Sequence, residues 1–307
     1  MSIRLLLAVL FCSNPLAHAQ RFAEHVFIIS FDGGKPAVIA ESEMPNLKKL
    51  AAEGAVTWGA QTIFPSKTLP SHTSMFTGLS PSKHRVLWNS YEPSKGVILA
   101  PTVFALARRH DPSFGTALFA GKMKFRHLWQ KGTLDVFDLG GAVSEEPAAG
   151  TEEVERATVP AQKVAAHAAE YIVRAKPNLC GIHFPDPDSA GHRFGWGSPE
   201  QKEAFHTADS ALGMVLEALQ KAGIAGTSVV LISADHGGHA RTHGDNTPDD
   251  MTIPWMAWGA GVKKHFQITV PITTFDTTAT ALWLLGVPCP PELDGKPVKE
   301  AFEVAAK

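Results

Sequence analysis

The sequence predicts an α/β fold: a single domain built on one doubly wound, mostly parallel sheet with helices on both faces. Three observations carry this expectation. Short β-branched apolar runs alternate with longer segments of helical periodicity, no internal repeat or low-complexity linker divides the chain, and 307 residues suffice for one large α/β domain. With 44% hydrophobic and 19% charged residues the composition is that of a globular protein, and its core is large enough to hold a buried polar site.

Residues 1–19 stand outside that fold. Arg4 supplies a positive start, Leu5 to Phe11 a short apolar run, and Ala17-His18-Ala19 the small-x-small form of a signal peptidase site. Cleavage after Ala19 would leave residues 20–307 as the folded domain. A run of roughly eight apolar residues cannot span a bilayer, so the mature chain is expected to have no membrane span. The expected location is the periplasm or the exterior. Cys180 and Cys289 then remain, too few for a disulfide framework, and Cys180 in its apolar run reads as a core residue. A net charge of −2 leaves no broad electrostatic surface for nucleic acid, so the expected partner is a small molecule.

The elements follow in order. Residues 25–30 form a buried strand that delivers Phe31-Asp32-Gly33-Gly34 at its carboxyl end. Residues 45–54 have helical spacing, with proline at the start and glycine at the stop. Residues 101–110 read as a helix, 114–120 as a strand, 133–139 as a short strand, and 140–155 as a surface loop. Residues 159–174 are helical in pattern, 178–184 form a buried strand, and 199–219 a long amphipathic helix. Residues 227–234 are the most strand-like run and end in Asp235-His236-Gly237-Gly238; 252–258 form a further strand and 275–285 a late helix. In such sheets functional groups collect outside the carboxyl ends of the strands, where Asp32, Asp188 and Asp235-His236 all fall.

Three aspartates and three histidines (Asp32, Asp188, His192, Asp235, His236, His243) form a donor set suited to zinc. Asp188 and His192 are four apart, so a helical turn brings both side chains to one point. Asp235 and His236 are adjacent, and the two glycines after them let the backbone re-aim both side chains at the strand end. Asp186 competes with Asp188 and His239 with His243; the spacing to His192 favours Asp188, and the Gly244 and Asn246 context favours His243. Thr68 lies between two prolines that frame a helix start, where free N–H groups and the helix dipole suit a phosphate. A threonine hydroxyl alone is a poor nucleophile, and coordination to a metal can ionise it at neutral pH.

On these blocks the chain resembles the alkaline phosphatase superfamily, specifically its type I phosphodiesterase/nucleotide pyrophosphatase branch. The matched segments are Phe31-Asp32-Gly33-Gly34, Lys67-Thr68-Leu69-Pro70-Ser71-His72 running on to Thr77-Gly78-Leu79, Pro187-Asp188-Ser189-Ala190-Gly191-His192, Ala234-Asp235-His236-Gly237, and His243-Gly244-Asp245-Asn246 with Met251. Each is weak alone; five in order are specific. The resemblance implies an alkaline phosphatase-like fold and two zinc ions, one held by Asp188, His192 and His243, the other by Asp32, Asp235, His236 and the Thr68 oxygen. It further implies Thr68 as nucleophile in the hydrolysis of a phosphate ester through a threonyl-phosphate, with Asn89 donating to a phosphate oxygen beside the Thr68 N–H. Three departures stand out. Arg85 replaces a common glycine, Ser71 replaces a common asparagine, and only six residues separate His236 from His243 where nucleotide pyrophosphatases carry a long insertion. Nucleotide specificity is therefore not carried over.

A phosphomonoesterase or phosphonate hydrolase of the same superfamily stays open. The first would need added positive charge, for which Arg85, Arg126 and Arg193 are candidates. A sulfatase would need Cys/Ser-x-Pro-x-Arg, which Thr68 does not offer. A zinc- or solute-binding protein without catalysis would have no need of Thr68 beside the metals.

Overall fold

Strand β1 (His25–Phe31) is buried along its whole length and sits at the centre of the molecule. Its side chains alternate between two cores: Val26 and Ile28 face one, Phe27, Ile29 and Phe31 the other. Burial on both faces is why the run carries no polar alternation. The structure, a computed structural model, describes residues 21–140 and 158–303. The expected signal segment and nearly all of the expected 140–155 loop lie outside these residues.

The remaining elements follow β1 in order. Helices α1 (Pro36–Glu41) and α2 (Pro45–Glu53) precede strand β2 (Ala55–Gln61). Helices α3 (Thr68–Thr77), α4 (Pro81–His84) and α5 (Val103–His110) lead to strands β3 (Thr116–Ala120) and β4 (Val136–Asp138). Then come helix α6 (Ala161–Ala175), strand β5 (Leu179–Phe184), and helices α7 (Asp186–Phe194) and α8 (Pro199–Lys221). Strand β6 (Ser228–Ser233), helix α9 (Pro248–Met251), strands β7 (Thr252–Gly259) and β8 (Phe266–Gln267), and helix α10 (Asp276–Leu284) complete the described chain.

These strands form one eight-stranded sheet of order β4-β3-β5-β1-β6-β7-β2-β8. Its pairs are parallel except β6–β7 and β2–β7, which are antiparallel. Helices α3, α5 and α10 cover one face with Leu69, Phe76, Phe104 and Leu282; α1, α2, α6 and α8 cover the other with Ile39, Leu47, Ile172 and Phe205. The predicted doubly wound, mostly parallel sheet with two helical layers is the observed architecture. Strand β2, left unassigned by periodicity, has mixed burial and a register shift between Thr57 and Ala60. It pairs as a bulged antiparallel strand.

Strand order decides where the site lies. Strands β5, β1 and β6 are neighbours and all end on the same edge, so the segments carrying Asp188, Asp32 and Asp235-His236 emerge side by side although 47 to 203 residues separate them in sequence. Helix α3 sets its N-terminus, with Thr68 in the first turn, on the same edge.

Candidate metal centre

Asp32 follows β1 directly and is fully buried. Its Oδ2 accepts from His183 Nε2 at 2.7 Å, and Lys122 Nζ lies 2.7 Å away. His183 Nδ1 accepts the Gly121 N–H at 3.2 Å, so the ring proton is on Nε2 and points at the carboxylate. Burial works against the charge on Asp32, but Lys122, His183 and His236 outweigh it and hold the carboxyl well below the ordinary range. Oδ1 has no hydrogen-bond partner.

Asp188 occupies the first turn of α7, and His192 follows one turn later on the same face. Asp188 Oδ2 accepts from Lys122 Nζ at 2.5 Å. Its Oδ1 faces the Nε2 atoms of His192, His243 and His236 at 3.4, 3.5 and 3.9 Å without a hydrogen bond. Asp186, the competing carboxylate, instead accepts the Ala161 N–H at 2.7 Å and caps α6. Asp235 Oδ1 accepts the Gly33 and His236 N–H groups, while Oδ2 is buried without a hydrogen-bond partner.

The three histidines present the same atom to the centre. Nδ1 of His236 lies 2.8 Å from Gly237 O, that of His243 2.8 Å from Ser66 O, and that of His192 3.0 Å from Arg241 O. A carbonyl only accepts, so each Nδ1 carries a proton and each Nε2 is the atom turned to the centre, where a neutral ring offers its lone pair to a metal. Two donor groups lie here, Asp188, His236 and His243, and Asp32, Asp235 and His236, with ligand atoms within 4.8 Å of one another in each. His192 adds a nitrogen 3.2 Å from His243 Nε2.

Electrostatics point the same way. Burial disfavours a charged His236, yet Asp235, Asp32 and Asp188 outweigh it and raise its pKa to about 9. The carboxylates thus recruit a proton where a cation could sit. His243 is pushed down to about 3, by burial first and by its neighbour His236 second. Three buried, unpartnered carboxylate oxygens beside three ring lone pairs fit divalent metal ions better than any arrangement of protons.

Thr68 Oγ1 lies 3.4 Å from His236 Nε2 at the mouth of this cluster. His72, one turn along α3, donates Nδ1–H to Thr68 O and accepts Ser30 Oγ–H, both at 2.8 Å. Asn89 Oδ1 accepts the Leu69 N–H at 2.8 Å, which fixes the amide beside the helix N-terminus. A cavity of about 820 Å³ opens here, lined among others by Thr68, Asn89, Lys122, Lys124, Arg193 and His243. Of the three arginines considered, only Arg193 lines it.

Sequence reasoning missed three participants, Lys122, Lys124 and His183. Lys122 and Lys124 arrive on the segment after β3, and no short motif marks them. Burial lowers the Lys124 pKa to about 8, with the Lys122 charge as the second cause. His183 is hidden in an apolar strand, where a lone histidine reads as core. Trp196 donates Nε1–H to Gly33 O and meets His192 and His243 edge-on at 5.3 and 5.9 Å.

Gly237 and Gly238 do not take positive φ; they admit close approach, since a Cβ would lie 2.0 Å from Asp249 O and 2.2 Å from Trp196 respectively. Arg85 does sit in the left-handed region, φ 64°, where glycine is the favoured residue.

The model for type I phosphodiesterase / nucleotide pyrophosphatase matches residues 26–253. A venom phosphodiesterase of Macrovipera lebetinus is 25% identical over 222 residues, 69% of this chain and 25% of the relative. Ectonucleotide pyrophosphatase/phosphodiesterase family member 1 of Mus musculus is 24% identical over 212 residues, 63% of this chain and 21% of the relative. The chain therefore spans about a quarter or less of the length of these curated relatives. Among solved structures, murine ectonucleotide pyrophosphatase / phosphodiesterase 5, an inactive variant in complex with AMP, superposes with a TM-score of 0.72 at 14% identity. That match covers 91% of this chain and 100% of the other. A 2-O GAG sulfatase superposes with a TM-score of 0.69 at 15% identity, covering 91% and 74%. At these identities the structural likeness establishes the fold.

Proposed function

The chain belongs to the type I phosphodiesterase / nucleotide pyrophosphatase family, and on that premise we propose that it is an exported hydrolase of phosphodiester or phosphoanhydride bonds, with two zinc ions and Thr68 as nucleophile. The observation that carries this reading is the convergence of Asp32 Oδ1, Asp188 Oδ1 and Asp235 Oδ2, all buried and unpartnered, on three histidine lone pairs beside Thr68. Asp32, Asp235, His236 and the Thr68 oxygen would hold one ion, and Asp188, His192 and His243 the other. When bound, the ions lower the pKa of the threonine hydroxyl and neutralise charge on the phosphoryl and leaving oxygens.

The chain's own residues do the rest. His72 holds the Thr68 carbonyl and so fixes the first turn of α3, where the Thr68 N–H, unlike that of Leu69, is left to meet a phosphoryl oxygen. Asn89, its carbonyl tied to Leu69, directs its NH₂ at a non-bridging oxygen. Thr68 Oγ, its proton lost to solvent, attacks phosphorus as the bond to the leaving oxygen breaks. Water then cleaves the threonyl-phosphate and restores the hydroxyl. Export rests on the N-terminal pattern; no helix among the described residues is long and apolar enough to cross a membrane.

One observation favours a second reading. Lys124 and Arg193 on the cavity wall supply charge that a dianionic monoester or a phosphonate bearing a second acid would use. The test is kcat/KM of the zinc-loaded protein on bis-p-nitrophenyl phosphate against p-nitrophenyl phosphate, with Thr68→Ala in parallel. A diester preference of about tenfold, some 1.4 kcal/mol in the transition state, supports the leading reading. A monoester preference of that size supports the second. Thr68→Ala should keep its zinc and lose turnover; retained turnover removes Thr68 as nucleophile.

A further inference from the structure

The segment between His236 and His243 is short, and what holds it lies outside both the donor set and the cavity. Asp250, in the four-residue helix α9, is fully buried. Its Oδ2 accepts the Gly244 and Asp245 N–H groups at 2.9 and 2.8 Å, and its Oδ1 lies 2.7 Å from His239 Nδ1. Its backbone carbonyl accepts the Gly237 N–H at 2.8 Å, and the neighbouring Asp249 carbonyl accepts Gly238 N–H at the same distance. One residue therefore grips the chain just after His236 and again just after His243.

That grip reaches all three histidines. His236 and His243 stack with ring centroids 3.6 Å apart at 13°. His192 is oriented by the Arg241 carbonyl, which belongs to the same loop. From the far side Ser66 receives His243 Nδ1–H on its carbonyl and donates Oγ–H to Asp245 O at 2.8 Å. Nothing else among the described side chains binds the Gly244 and Asp245 N–H groups, so without Asp250 two amides and the loop's anchor are lost together.

We propose that Asp250 is a positioning residue for the metal position of Asp188, His192 and His243: by clasping residues 237–245 it sets where the His243 and His192 lone pairs meet. This rests on the reading of those three residues as metal ligands. The agent is hydrogen bonding to backbone N–H groups rather than net charge. An amide oxygen at the same place can accept both N–H groups; a methyl cannot.

The test is zinc titration against a chromophoric chelator, without substrate, on the full chain and on Asp250→Ala, Asp250→Asn and His243→Ala. Asp250→Ala should bind one of two ions about 10- to 100-fold more weakly, the range for loss of a residue behind a ligand, with the other ion unaffected. Asp250→Asn should stay close to the parent, and activity of Asp250→Ala should return as zinc is raised. Parent affinity for both ions in Asp250→Ala overturns the proposal, as does an Asn variant as weak as the Ala variant. A third ion in the parent that is lost in Asp250→Ala also overturns it, because His239, Asp245 and Asp250 would then be a site themselves. If Asp250→Ala does not fold, Asp250→Glu, which keeps the charge but not the fit, should show the same weakened ion. His243→Ala separates the two failures: unchanged zinc there removes the ligand reading, whereas loss there with an unaffected Asp250→Ala removes the clasp alone.

Discussion

Lys122 offers the sharpest energetic test of the centre. Its Nζ bridges Asp32 Oδ2 and Asp188 Oδ2 at 2.7 and 2.5 Å, with the side chain 8% exposed. Burial works against its charge, but Asp188 and Asp32 outweigh that and hold its pKa above the ordinary lysine value. Lys122→Met keeps the length and removes the charge, leaving two buried carboxylates without the cation they share. Breaking a buried pair in this way costs about 3–5 kcal/mol. At about 2 °C per kcal/mol, the low end of the usual range because the chain is long, the melting temperature in chelator should fall by about 6–10 °C. Divalent cations among the same carboxylates would replace the missing charge, so the zinc-loaded variant should lose much less. Scanning calorimetry with chelator and with excess zinc reads both numbers. A fall below about 2 °C in chelator, or an equal fall in both conditions, would refute the argument that this lysine and a metal serve the same carboxylates.

Two further predictions concern stability. His72 and His84 are each pushed down to about 4, chiefly by burial, so the stability they add is full above the unfolded pKa of about 6.5 and lost as pH falls through 4. His236, raised to about 9, works the other way: its contribution is full below about 6.5 and lost as pH rises through 9. Metal-free protein should thus melt highest near neutrality, and His236→Gln should flatten the alkaline limb; a parent melting curve that does not change from pH 7 to 9 contradicts this. Phe205, buried under α8 against the sheet, should cost about 3–5 kcal/mol as Phe205→Ala, read by urea unfolding. A loss under about 1 kcal/mol would mean that the helix repacks around the gap.

The sequence by itself determined the alternation of strands and helices, the burial of β1, β5 and β6, and the donor types waiting at their carboxyl ends. It did so because those signals are local: apolar runs, glycine and proline stops, and a four-residue spacing are legible without knowing any neighbour. Strand β2 escaped because its bulge and half-exposed residues blur the period that marks a strand. The tertiary structure alone decided which charges meet. Lys122 finds Asp188 across 66 residues and Asp32 across 90 because β3, β5 and β1 are adjacent in the sheet. His183 becomes the partner of Asp32 because parallel pairing sets Ser30, two residues before Asp32, opposite it. Asp250 clasps the histidine loop only once β7 runs back antiparallel to β6. Strand order and register create these contacts, and neither is written in any segment's own pattern.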